Sequence, residues 1–153
     1  MSLEDDIAFF EQVPMLAALG KQALRILAIG AESRHLPSGS VLFYAGDLAD
    51  AGYLLQDGEL LIEPGTASEG REFNVGPGTL LGELALLTDT VSSTTATAVE
   101  PCTVIRISRS LFLKMLEGYP AAARKLRDTM AQRLDAWTRE LDAVQSALDP
   151  GEK

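Results

Sequence analysis

The sequence predicts an α+β protein: a β jelly-roll, wound as a double-stranded β-helix barrel, with N-terminal helices before it and a long C-terminal helix after it. Three observations predict this. Apolar residues recur at helical spacing through residues 4–30. From Glu32 onward short β-prone runs alternate with glycine turns, as they do in sandwiches and jelly rolls. After Pro120 large apolar residues return every three or four positions. Residues 1–118 are thus expected to hold the barrel and its leading helices, and 119–153 the last helix and a tail.

In chain order, Phe9, Phe10 and Val13 precede Pro14, whose ring breaks the first helix. Leu16, Leu19, Leu24, Leu27 and Ile29 then form an apolar stripe, a helical layer suited to packing on a sheet. The runs Val41–Tyr44, Gly52–Leu55 and Glu59–Ile62 read as strands. The pair Asp57-Gly58 between the last two predicts a hairpin. Residues 63–72, EPGTASEGRE, are a polar loop, and Phe73–Val75 is the next strand. Ala96–Val99 and Thr103–Ile107 complete the barrel, and Ser110 is the expected cap of a short helix that Gly118 stops. Pro120 suits the first position of the final helix.

In that helix Leu126, Met130, Leu134, Trp137, Leu141, Val144 and Leu148 are spaced 4, 4, 3, 4, 3, 4. Leaving such a seam in water is costly, since burying each large side chain is worth ~1.5–3 kcal/mol. The helix can fold back on its own barrel or pair with a second chain. The heptad-like spacing favours a parallel two-chain seam.

Composition excludes several function classes. The formal charge is −9, and the excess lies wholly in residues 1–118, because 119–153 carry six basic and six acidic groups. Nothing resembles the basic footprint that nucleic acid or an anionic membrane requires. No apolar run approaches the ~18 residues of a membrane span. The acidic start lacks a signal peptide's basic region, so a cytoplasmic location is expected. One cysteine, Cys102, permits no internal disulfide, and one histidine, His35, offers no cluster of metal ligands. Ser92, Ser93, Thr94 and Thr95 form a hydroxyl run without a neighbouring base to activate a nucleophile. No enzyme activity and no cofactor are expected.

The stretch 76–98, GPGTLLGELALLTDTVSSTTATA, concentrates the remaining signal. Gly76-Pro77-Gly78 turns the chain, and Gly82-Glu83-Leu84-Ala85-Leu86 reads as one helical turn. The first amides of such a turn lack internal partners and suit an anion, while a glycine there allows close approach to the backbone. This stretch resembles the phosphate-binding cassette of cyclic nucleotide-binding domains. The spaced residues Pro37, Gly39, Leu42, Gly46, Asp47, Tyr53, Leu54, Leu55, Gly58 and Leu60 resemble the same family.

The resemblance implies ligand contacts from Leu81, Gly82, Glu83, Leu84, Ala85, Ser92, Ser93 and Thr94, with Glu83 accepting from a sugar hydroxyl. In the family an arginine follows that Glu by nine residues and pairs with the cyclic phosphate. Here Ser92 stands in its place, Val91 replaces the common preceding proline, and no Lys, Arg or His occurs between Glu72 and Ile105. A charged hydrogen bond contributes about 1.5–3 kcal/mol, and a bidentate pair more. Affinity for a cyclic nucleotide should fall on the order of 10²-fold.

The resemblance therefore implies a non-enzymatic ligand-sensing module with weak or absent cyclic nucleotide binding. It also implies a homodimer through Leu134, Trp137, Leu141, Val144 and Leu148, with no DNA binding by this chain alone. The alternative is the sensor half of a catabolite-activator-like regulator without its helix-turn-helix domain. A third reading is an interaction domain for an unidentified protein partner with no small ligand.

Overall fold

A computed structural model describes residues 3–65 and 70–132. Three short helices lead: α1 (Leu3–Phe10), α2 (Pro14–Ala17) and α3 (Lys21–Gly30). Pro14 opens α2, where its missing N–H costs nothing. The strands are β1 (Glu32–Leu36), β2 (Val41–Phe43), β3 (Leu48–Ala49), β4 (Ala51–Asp57), β5 (Leu60–Pro64), β6 (Phe73–Val75), β7 (Leu80–Leu81), β8 (Thr90–Val91), β9 (Thr94–Ala98) and β10 (Cys102–Ser108). A 3₁₀ turn, Leu84–Leu86, lies between β7 and β8. Helix α4 (Arg109–Gly118) follows β10, and residues 120–132 are helical.

The α+β class holds, but the jelly-roll barrel does not. The strands form two open antiparallel sheets, ordered β1-β10-β4-β7 and β2-β9-β5-β6, and a two-stranded ribbon, β3-β8. No ladder joins the edge strands of either sheet. The physical reason is strand length: β3, β7 and β8 have two residues each and β6 has three. Closure needs an unbroken ladder around the wall, and such short strands cannot carry one.

The core follows from alternation along the two longest strands. Leu54, Ile105 and Ile107 turn to the helices and pack with Phe10, Leu16, Leu24, Leu27 and Phe112. Leu55, Cys102 and Val104 turn the other way and meet Leu60, Ile62, Ala96 and Ala98 of the second sheet. The β1-β10-β4-β7 sheet is thus the middle layer. Its central strands are apolar on both faces, as a doubly covered sheet requires.

Further corrections concern turns and caps. Asp57-Gly58 does not close a hairpin, because β4 and β5 belong to different sheets, and the turn carries the chain between them. The cap of α4 is Ser108, whose Oγ accepts from the Leu111 amide at 3.1 Å, and not Ser110. Strands β1, β3 and β8 were not legible, being polar or only two residues long. The seam from Leu134 to Leu148 lies outside the described residues.

Candidate functional site

The cassette folds as a strand, a turn and a return strand around one cavity. β7 pairs with β4, setting Leu81 opposite Tyr53. Gly82 follows at φ +77°, and a Cβ there would sit 3.0 Å from the Ala51 carbonyl oxygen. Both the left-handed backbone and the close approach require glycine. The 3₁₀ turn then closes with Ala85 donating to the Gly82 carbonyl and Leu86 to that of Glu83, each at 3.1 Å. One helical turn was expected here, and one is present. The chain returns through β8, and Ser92 directly after it is fixed by backbone bonds to Gly46 and Asp47 at 2.8 and 2.9 Å.

Gly82 and Ser92 meet across a cavity of about 150 Å³, whose wall also includes Phe43, Asp47, Asp50 and Tyr53. The Phe43 and Tyr53 rings are 5.8 Å apart. The other expected contact residues are dispersed. Ala85 is fully buried, Leu84 is 59 % exposed and Ser93 is exposed. Thr94 lies in the ladder opposite Pro64, and Leu81 packs against the apolar cluster between the sheets. Neither Lys, Arg nor His lines this cavity. Arg71 is exposed on the connection before β6.

Two arginines that sequence reasoning did not place lie beside the cassette. Arg106 follows Cys102 and Val104 on the inward parity of β10, and its side chain is 17 % exposed. Its Nη2 donates to Asp50 Oδ1 at 3.2 Å. Burial opposes its charge, but a hydrogen bond with Tyr53 and the Asp50 and Glu32 carboxylates outweigh burial and raise its pKa. The available signal was a charge at an inward position of an otherwise apolar alternation.

Arg109, the first residue of α4, clamps the far end of the 3₁₀ turn. Its Nη1 donates to the carbonyls of Thr88 (2.8 Å), Ala49 (3.3 Å) and Ala85 (3.4 Å), and its Nη2 meets Asp89 at 2.6 Å.

The remaining reactive groups are occupied structurally. Cys102 is 3 % exposed, burial raises its pKa, and its thiol faces the Glu59 and Glu100 carbonyls at 3.2 Å. His35 Nδ1 lies 3.2 Å from Thr103 Oγ1. Among the described residues no group of three or more His, Cys, Asp or Glu could hold a metal ion. No described helix is long and apolar enough to cross a membrane.

Comparison with known proteins gives a consistent picture. The family pattern described as the cyclic nucleotide-binding domain matches residues 33–119. The cyclic AMP receptor protein of Thermus thermophilus is 30 % identical over 133 residues, covering 86 % of this chain and 62 % of that protein. An uncharacterized NTE family protein of Mycobacterium tuberculosis is 32 % identical over 123 residues, which is 80 % of this chain but 21 % of its own length. Among solved structures, a cyclic nucleotide-binding-like protein from Brucella abortus is 39 % identical with a TM-score of 0.65, covering 74 % of this chain and 98 % of that one. The catabolite activator protein of Thermus thermophilus is 29 % identical with a TM-score of 0.67, covering 86 % of this chain and 63 % of that one. The chain thus spans less than two thirds of the length of these curated relatives.

Proposed function

The chain belongs to the cyclic nucleotide-binding domain family, and from that premise we propose a ligand sensor whose pocket is the cavity between Gly82 and Ser92. The module is regulatory and not enzymatic. One observation carries the reading: Ser92 stands nine residues after Glu83, where the family resemblance expects an arginine, and neither Lys, Arg nor His lines the cavity. A phosphate there would meet the Asp47 and Asp50 carboxylates, and the guanidinium behind them, Arg106, is already paired with Asp50. The pocket therefore takes cyclic AMP or cyclic GMP weakly or not at all. Of the expected contacts Leu81, Gly82, Glu83, Leu84, Ala85, Ser92, Ser93 and Thr94, the first to be probed is Ser92.

We also propose that the chain works in the cytoplasm as a homodimer through the Leu134–Leu148 seam. Output passes through the helices after β10, and the Arg109 clamp between α4 and the 3₁₀ turn supports that route. A second reading, the sensor part of a transcription regulator, is favoured by the Thermus thermophilus relative, of which this chain spans 62 %.

Calorimetry with cyclic AMP tests the pocket in the wild type and in Ser92→Arg. The arginine supplies a fork for two phosphate oxygens. If the pocket is otherwise competent, affinity rises tenfold or more, equivalent to about 1.4 kcal/mol. Micromolar binding by the wild type, or no gain in a folded Ser92→Arg variant, would overturn the reading.

A further inference from the structure

We propose that Arg106 is the cation of this pocket, that its ligand is an oxyanion, and that Asp50 holds the oxyanion's place until one arrives. The proposal rests on the pocket assignment above and names what the pocket recognises. Of the three groups that raise the pKa of Arg106, Asp50 and Tyr53 line the cavity between Gly82 and Ser92, while Glu32 lies opposite Arg106 on β1. The guanidinium therefore stands one side chain behind the cavity wall, on the inward face of β10. A partly buried arginine on the inward face of a sheet, 17 % exposed, favours a charge partner.

The present partner is poorly held. Asp50 is 71 % exposed while Arg106 is 17 % exposed, so the carboxylate sits on the solvent side of the pair. Pairs with so exposed a member contribute little to the fold. An incoming phosphate or carboxylate offers the planar guanidinium two oxygens, where the contact with Asp50 runs from Nη2 to Oδ1 at 3.2 Å. Exchange of one for the other leaves Arg106 paired throughout. The cavity of about 150 Å³ admits a small oxyanion, or the charged end of a larger molecule, more readily than a whole nucleotide.

The exchange also has an exit route. The Asp50 carbonyl accepts from the Arg109 amide at 2.8 Å, and the neighbouring Ala49 carbonyl accepts from the Arg109 guanidinium. Displacing Asp50 thus bears on the first residue of α4, which the cassette also reaches through Ala85, Thr88 and Asp89.

The test titrates inorganic phosphate, acetate and cyclic AMP into wild type, Asp50→Asn and Asp50→Asn/Arg106→Gln, with thermal melts to verify folding. Asp50→Asn removes the competitor and should tighten binding of at least one probe about fivefold or more. The double variant should lose that gain. Preference for phosphate over acetate, or the reverse, identifies the oxyanion class. A gain that persists in the double variant would mean that relief of negative charge alone is responsible, and would overturn the proposal. So would the absence of any gain in Asp50→Asn. Should the double variant fail to fold, the Arg106 Nε–Hε resonance of Asp50→Asn must shift on phosphate addition, and a resonance that stays fixed overturns the proposal equally. Ser92→Arg keeps the two readings separable: tighter cyclic AMP binding there, with no gain in Asp50→Asn, refutes only the role of Arg106.

Discussion

Gly58 shows how a single atom can specify a crossing between layers. It follows β4 at φ +94°, where the chain leaves one sheet for the other. A Cβ would lie 2.6 Å from the Pro101 carbonyl oxygen and 2.7 Å from Cys102 Sγ. A left-handed non-glycine residue costs roughly 1–2 kcal/mol, and overpacking adds ~1–3 kcal/mol. Gly58→Ala should therefore destabilise the fold by about 2 kcal/mol or more. Urea unfolding measures this; a midpoint indistinguishable from wild type would mean the backbone relaxes freely here. Residue-scale reading of the sequence found this glycine and Gly82 at turns, because their identity alone marks the need. It could not place Arg106, because a lone charge in a strand announces nothing until the neighbouring strand delivers Asp50 and Tyr53 to it.

At the scale of elements, α4 depends on its N-terminal cap. It has ten residues, too few for a stable isolated helix. Its buried residues, Phe112 and Met115, join the cluster beneath α1 and α3. Its N-terminus is held by Ser108, while Ser110 lies inside the helix. Replacing a capping serine by alanine costs about 1 kcal/mol, within a range of ~0.5–2. Ser108→Ala should show that loss, and Ser110→Ala should stay within about 0.5 kcal/mol of wild type. Parallel chemical denaturation of both variants checks the contrast, and equal losses would contradict the cap assignment. The sequence pattern predicts Ser110 as the cap, and Ser108 lies two positions before it. Only the backbone angle at residue 108, extended at φ −71° and ψ 151°, selects between them.

At the scale of the whole molecule, the expected Leu134–Leu148 seam calls for a partner surface. Ala122 and Leu126 are already buried against the helical cluster. Met130 is 37 % exposed, so the apolar stripe begins to leave its own core there. The heptad-like spacing from Leu134 to Leu148 is suited to a second copy. Leu141→Glu, at the centre of the seam, should convert a dimer to monomers because it buries a charge against its own copy. Sedimentation velocity at micromolar concentration reports this directly. A wild-type monomer under those conditions would refute the dimer.

The sequence by itself determined the α+β class, the helical lead-in, most of the strands and the position of the cassette. Each depends on local information: apolar period, glycine and proline placement, and a short motif read along the chain. Only the tertiary structure decided that the sheets stay open, that Asp57-Gly58 bridges two sheets, and that Arg106 meets Asp50 beside Gly82 and Ser92. Those outcomes depend on which strands pair and on which side chains arrive from distant positions. Period-two alternation states that a residue faces inward, but it does not state what will face it.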